Sequence, residues 1–472
     1  MFDPVIAPSG TLLGLLQRGR GDGTLHALTA PRAEALAALD HCVLHDPRHD
    51  WQVENRSLYY ARLYLDLNGE LDAIEAHLFD PEDVLDTEES RTGLALAVLG
   101  HLASYDRLDA LRLLRRYAAH GSNWAWALDE LALRDDDAGL RALAAPVLAR
   151  FSTDPQGEAE LAATVRDAFE PRPWRLWAED PREPIATRVR AAQEAGSFDR
   201  WQRQMRPTGP RPGWSVSAVF EWAQQGIERG AALHVPAARC LAAVAGPGDR
   251  PEILQAARTG TEGARCTALR YLADSEDPDA LDLVEAAVAD GPTPVVEAAV
   301  DAFERMRGIA AVDRARGWAQ RPDALGAAAA RMLACSGGAQ DSDLVLGALR
   351  EAVRGDGPDA ATLWTLVDGT GRLGIACAAP VLRHIYRETA SSHLRGRAAR
   401  ALTATDPSFA AGFAVECLWD CEETTRELAA RHAETGDARV VERLRRLAAD
   451  PAEEDEVQTA VRSRFGPDMP AM

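Results

Sequence analysis

One unit recurs through the second half of the chain: an Ala/Leu/Arg-rich helical stretch, a tight break at Asp, Gly or Pro, and a second amphipathic stretch. It reads most plainly as GARCTALRYLADSEDPDALDLVEAAVADG (Gly263 to Gly291). It returns from Leu394 to Asp420 and from Glu427 to Asp450, with breaks at Asp277-Pro278, Asp406-Pro407 and Gly436-Asp437. Small alanines let a first helix sit close to its neighbour, and the Asp-Pro or Gly-Asp pair ends it before the second begins. A single helix pair cannot bury its own apolar stripe, so copies must stack into a continuous core. The spacing therefore predicts an all-α fold, a helical-repeat solenoid. No long run alternates apolar and polar residues as a strand would.

Residues 1–170 carry the same rhythm more loosely. GLALAVLGHLASYDRLDALRLLRRYAAHG is again helix, Asp-containing turn, helix. Residues 171–215 interrupt it with seven prolines and four tryptophans, Trp174, Trp177, Trp201 and Trp214. A short helix fits Ile185 to Ala195, while PRPW and RPTGPRPGW at the two ends are expected to be non-helical. The chain thus divides into N-terminal helical repeats (1–170), a Pro/Trp/Arg-rich linker or docking loop (171–215) and C-terminal repeats (216–472).

Ala264, Arg265, Ala268, Leu269 and Leu272, then Asp277-Pro278, then Ala280, Leu281 and Val284 resemble HEAT-like repeats of the type found in bilin lyases. The resemblance covers about Ala232 to Arg464 and implies a right-handed HEAT-like α-α superhelix. It also implies a protein-binding scaffold, the usual occupation of that class. An enzyme on the same architecture, like the HEAT-like alkylpurine DNA glycosylases that this chain resembles in repeat type, is the alternative. HEAT-like hydroxylases hold iron with His-Glu pairs, and this chain has no His-Glu dipeptide.

All 52 basic residues are arginine, a bias that either a high-GC bacterial coding sequence or selection against lysine-directed tagging would produce. Without lysine the chain cannot supply a P-loop lysine, a pyridoxal Schiff base or a kinase strand lysine. The net charge is −21, with 15 arginines against 29 acids in 1–170, 9 against 5 in 171–215 and 28 against 39 in 216–472. Two acidic arms disfavour nucleic acid, whose affinity comes chiefly from phosphate neutralisation. No run approaches the roughly 18 to 20 apolar residues of a membrane helix, and Met1 to Gly10 lacks a signal-peptide pattern. A cytoplasmic protein with no membrane association is expected.

Seven cysteines are scattered without a CxxC; Cys240 and Cys266, each in an Ala-Arg-Cys context, read as small core residues in a reducing compartment, and Cys417 and Cys421 as buried or half-buried structural residues. His41, His45 and His49 have helical spacing, but Pro47 ends the helix before the third, so no metal site is expected. Gly369 to Gly374 satisfies the letter of GxGxxG without a preceding strand and reads as a helix end. The acids at Asp135 to Asp137 read as loop or helix N-terminal charge. No catalytic residue and no cofactor is expected. The best binding candidates are Arg200, Trp201, Arg203, Arg206, Arg211 and Trp214, since arginine and tryptophan dominate interface anchors. The competing possibility is that these arginines fasten the segment to the chain's own acidic arms. With no lysine present, an amine-reactive ester should label the intact chain only at its α-amino group, and mass spectrometry showing a second amide-linked label contradicts this.

Overall fold

The computed structural model describes residues 6–47, 56–80, 89–204 and 213–465, and over these the chain is all-helical, with twenty-eight α-helices and no strand. No helix among the described residues is long and apolar enough to cross a membrane. The helices form two compact units, one from 1–207, 386–399 and 407–472, the other from 208–385 and 400–406.

The first unit begins with α1 (Leu12–Gln17), α2 (Gly21–Thr29), α3 (Arg32–Leu44), α4 (Arg56–Asp66), α5 (Asp72–Leu78) and α6 (Glu89–Ser104). It continues with α7 (Leu108–His120), α8 (Trp124–Arg134), α9 (Asp137–Leu148), α10 (Pro155–Asp167), α11 (Arg172–Ala178) and α12 (Glu183–Gln204). The second holds α13 (Val216–Glu228), α14 (His234–Val244), α15 (Arg250–Thr259), α16 (Glu262–Asp274), α17 (Ala280–Asp290) and α18 (Thr293–Arg305). After them come α19 (Ile309–Trp318), α20 (Ala324–Ser336), α21 (Ser342–Asp356) and α22 (Leu363–Arg372). The division passes through α23 (Ala379–Glu388) and α24 (Ser392–Thr405), and α25 (Phe413–Cys417), α26 (Glu423–His432), α27 (Ala438–Ala449) and α28 (Asp455–Phe465) return to the first unit.

Packing runs neighbour to neighbour, as a helical repeat requires. In the second unit α13, α16, α18, α20 and α22 stack in succession, and α15, α17, α19 and α21 each pack on the stack helix that follows. Alanines make the stacking close: Ala264, Ala268, Ala298, Ala299, Ala302, Ala328, Ala329 and Ala334 are all buried. Acidic side chains start several helices. Asp136, Asp154 and Asp323 each accept the backbone N–H three residues on, at 2.6, 2.8 and 3.0 Å, satisfying a donor that the helix itself cannot. Asp136 thus takes the helix N-terminal role expected of its run, while neighbouring Asp135 is buried against Arg115 at 2.7 Å.

Arginine closes the other helix ends. Arg150 donates to the carbonyls of Ala119 and Gly121, Arg172 to those of Ala132 and Asp135, and Arg188 to those of Leu148, Phe151 and Ser152. Arg372 does the same at Leu333 and Ala334 in the second unit. Each clamp joins residues 29 to 40 apart, one repeat length, and sets a cation on the negative end of a neighbouring helix. A planar guanidinium can span two carbonyls at once, which an ammonium does less well.

The first unit also brings the two ends of the described chain together. The Cys421 N–H donates to the Gly19 carbonyl at 2.9 Å, and Arg18 donates to the Glu388 carbonyl at 3.1 Å. A Cβ on Gly21 would lie 1.9 Å from the Glu416 carbonyl oxygen, so only glycine fits there. Buried ion pairs line this seam: Arg20 with Glu416 at 2.8 Å, Arg395 with Asp420 at 2.7 Å, and Arg426 with Glu453 at 2.6 Å. Arg62 reaches both Asp450 and Glu453, and the Tyr105 hydroxyl donates to Asp450 at 2.7 Å.

Several expectations change against these facts. The PRPW end of 171–215 is helical: Pro171 precedes α11 and Pro173 stands in its first turn, where no N–H is needed. The short helix expected at Ile185 to Ala195 is the middle of the longer α12. RPTGPRPGW lies outside the described residues except for its last two. Cys240, Cys266, Cys417 and Cys421 are buried as expected, as is Cys42, and Cys335 and Cys377 are exposed. The GxGxxG stretch ends α22, with Gly374 at φ 62° making the turn.

The Arg395–Asp420 pair yields a direct test, because neither side chain has any exposure. Arg395→Met strands a buried carboxylate and should destabilise the first unit by about 3–5 kcal/mol, whereas adding Asp420→Leu should recover most of that loss. Urea denaturation measures both. A single-variant cost below about 1 kcal/mol contradicts a seam held by charge pairing.

Candidate functional site

The residues singled out from sequence do not assemble into one described surface. Arg200, Trp201 and Arg203 fall on the last turns of α12, where only the backbone is described, and Arg206 and Arg211 lie outside the described residues. Trp214 is half-buried and meets Trp222 of α13 edge to face at 5.4 Å, which is internal packing of the second unit. Trp174 and Trp177 are buried as well, 4.9 Å apart, and the Trp177 indole donates to the Leu140 carbonyl at 2.8 Å. Of the described arginines of the same stretch, Arg172, Arg182, Arg188 and Arg190 pair with Asp137, Asp180, Glu158 and Glu183. The His41 and His45 rings lie tilted at 5.4 Å, His77 meets His45 edge-on at 6.1 Å, and His49 is outside the described residues. Among the described residues no group of three His, Cys, Asp or Glu is arranged to hold a metal ion.

A different place, the outer flank of α8, concentrates unusual chemistry. This helix, WAWALDELALR, buries Ala127, Leu128, Leu131 and Ala132. Leu133 falls off that stripe and is 60% exposed. One turn before it stands Asp129, whose Oδ1 accepts the Glu170 backbone N–H at 3.2 Å. That bond, with the Arg172 clamp on Ala132, pins the 168–171 loop to α8 and holds Phe169 there at 83% exposure. Phe169 is the most exposed large apolar side chain of the described residues.

Beside this apolar pair two carboxyls sit in poor solvent. Burial pushes Asp129 up to about 6, with Glu170 adding repulsion against the relief from its N–H. Burial likewise pushes Glu130 up to about 7, against the opposing pull of Arg134 at 2.7 Å and a hydrogen bond from Trp126. The site is built for that carboxylate, since a Cβ on Gly100 of α6 would lie 2.0 Å from its Oε2. His101, next along α6, is pushed down to about 3, first by burial and then by Arg134 and Arg62, so it is a neutral imidazole at physiological pH. No arginine or histidine pairs with Asp129 among the described residues. The flank therefore offers apolar contact, a partly protonated carboxyl pair and no enclosed cavity. It suits recognition of a surface better than turnover of a small molecule.

Sequence reasoning passed over this flank because Asp129 and Glu130 look like ordinary solvated helix charge. The available signals were Leu133 and Phe169, apolar residues out of register with any buried stripe. No family model matches the chain, and no curated protein sequence matches it.

Both carboxyls hold protons more tightly in the folded state than an unfolded chain would. By linkage, their contribution to stability is greatest below about pH 4 and falls as pH rises toward about 7. Carboxyl-carbon NMR should show Asp129 titrating near 6 and Glu130 near 7. Midpoints at ordinary values near 4 contradict the burial.

Proposed function

We propose that this chain is a non-catalytic protein-interaction scaffold or adaptor built on a HEAT-like, right-handed helical-repeat solenoid and working in the cytoplasm. One observation carries the reading: Phe169 and Leu133 are both strongly exposed, and hydrogen bonds tie the loop that carries Phe169 to the helix that carries Leu133. Aromatic side chains on a fixed backbone lose little entropy when covered, which is what interface anchors need. Arg200, Trp201, Arg203, Arg206, Arg211 and Trp214 are proposed as a second, basic contact. The nucleic-acid enzyme alternative needs a cationic groove around an aromatic and an acid. Trp126 hydrogen-bonds Glu130, whose cation Arg134 is already paired with it, and Asp129 and Glu170 add negative charge beside it, so this flank would repel a phosphate backbone.

Affinity capture followed by calorimetry on the purified partner tests the proposal. Phe169→Ser with Leu133→Ser should weaken the partner's binding by about 30-fold or more, the equivalent of losing about 2 kcal/mol. The melting temperature should barely change, because exposed substitutions stay within about 0.5 kcal/mol. Binding unaffected by the double change, or a partner that proves to be DNA or RNA, removes the reading.

A further inference from the structure

The α8 flank has a charge defect that points to the chemistry of what covers it. Most carboxylates fully buried elsewhere among the described residues meet a guanidinium: Asp135 has Arg115, Asp180 has Arg182, Asp341 has Arg316 and Asp406 has Arg383, while Glu422 has Ser392 and His393 instead. Asp129 is half-buried with only the Glu170 N–H, although a carboxylate offers about four acceptor positions. The ionisable groups facing it are Glu170 from the 168–171 loop and Glu130 on α8, the latter with its own partner in Arg134. Covering Phe169 and Leu133 removes still more water from Asp129. A purely apolar occupant would leave a dehydrated acid, and an anionic one would set a third negative group beside Asp129 and Glu170.

We infer that the occupant of this flank is a segment of a partner protein that presents an apolar side chain to Phe169 and Leu133 and, beside it, an arginine or lysine that closes on Asp129. This rests on the protein-binding reading above and adds the partner's charge to it. Asp129 provides the acceptor and the two exposed apolar residues provide the contact area. The net charge of −21 favours approach of a cationic segment over long range. Pairing also discharges a proton. With Asp129 pushed up to about 6, a fraction of the chain carries that proton at pH 6, and an incoming cation favours the ionised form. Complex formation at pH 6 should therefore release protons to the buffer, and at pH 8 it should not.

A panel of synthetic 15-residue peptides tests this on the full chain. Each carries Leu and Trp four residues apart, flanked by arginine, glutamine or glutamate in three matched series, and binding is followed by fluorescence anisotropy and by calorimetry in buffers of different ionisation enthalpy. The arginine series should bind at least about tenfold more tightly than the glutamine series, the scale of one charge-assisted contact. The glutamate series should bind weakest. Asp129→Asn should level the arginine and glutamine series and remove the proton release at pH 6, with unchanged melting temperature and circular dichroism reporting that the variant is folded. Phe169→Ser should weaken every series. Equal binding of arginine and glutamine peptides, or an arginine preference that survives Asp129→Asn, overturns the charge inference while leaving an apolar docking flank in place. Peptide binding indifferent to Phe169→Ser overturns both readings, and so does no binding by any series at peptide concentrations on the order of 1 mM.

Discussion

Guanidinium groups taken out of water hold the first unit together. Arg395 and Asp420 have no exposure at all, Arg426 and Glu453 almost none, and Arg20 with Glu416 little more. Burying such charges costs several kcal/mol per ion, which their mutual attraction offsets only when the remaining hydrogen-bonding capacity is also used. Here most of it is. Arg395 adds the Gly19 carbonyl, and Arg426 adds the carbonyls of Asp420 and Cys421. Each pair is thus stable only while the neighbouring backbone keeps its path, and α1, α2 and the segments around α24 to α26 depend on one another for it. Breaking one member leaves an uncompensated charge, so the seam behaves as a single cooperative element.

That dependence explains which parts of the fold were legible in the sequence. Helical repeats are local: alanine spacing, an Asp cap and a Pro or Gly break all act within about 40 residues, so their rhythm survives in a one-dimensional string. The seam is not local. Arg20 and Glu416 are 396 residues apart, and nothing in Arg20-Gly21-Asp22 distinguishes a buried seam from a surface turn. In the structure Gly21 allows the Glu416 carbonyl to approach and Arg20 supplies the charge. Proline misled in a different way. Its rule concerns helix interiors, and in PRPW both prolines stand at the start of α11, where the missing N–H has no consequence.

The candidate site was less legible, because exposure is a tertiary property. Tryptophan and arginine density single out 171–215 in the sequence, yet Trp174 and Trp177 are core residues, and Arg172 and Arg188 clamp carbonyls and carboxylates of neighbouring helices. An arginine that caps a helix end and one that awaits a ligand look identical in sequence. Asp129 and Glu130 show the same ambiguity in reverse. They look like solvated charge, and only the approach of α6 at Gly100 and of the loop at Glu170 turns them into carboxyls short of water.

Two of the molecule's grooves are by-products of close helix packing. The groove between α10 and α12, about 730 Å³, is lined mainly by Ala159, Ala162, Ala191, Ala192 and Ala195, and Arg188 at its rim is already engaged with Glu158 and three carbonyls. A second groove of about 590 Å³ in the other unit is likewise floored by Gly326, Ala327 and Ala330, and Arg321 and Arg331 at its edge are paired with Asp323 and Glu304. Neither gathers the convergent polar groups that orient a small ligand. Small residues are there because successive helices must approach closely, and the shallow space beside them follows from that packing. The α8 flank departs from this economy in the opposite direction. It exposes two large apolar side chains and leaves one half-buried acid with a single hydrogen bond where a repeat protein could have placed any polar residue, and the proposed partner would cover all three at once.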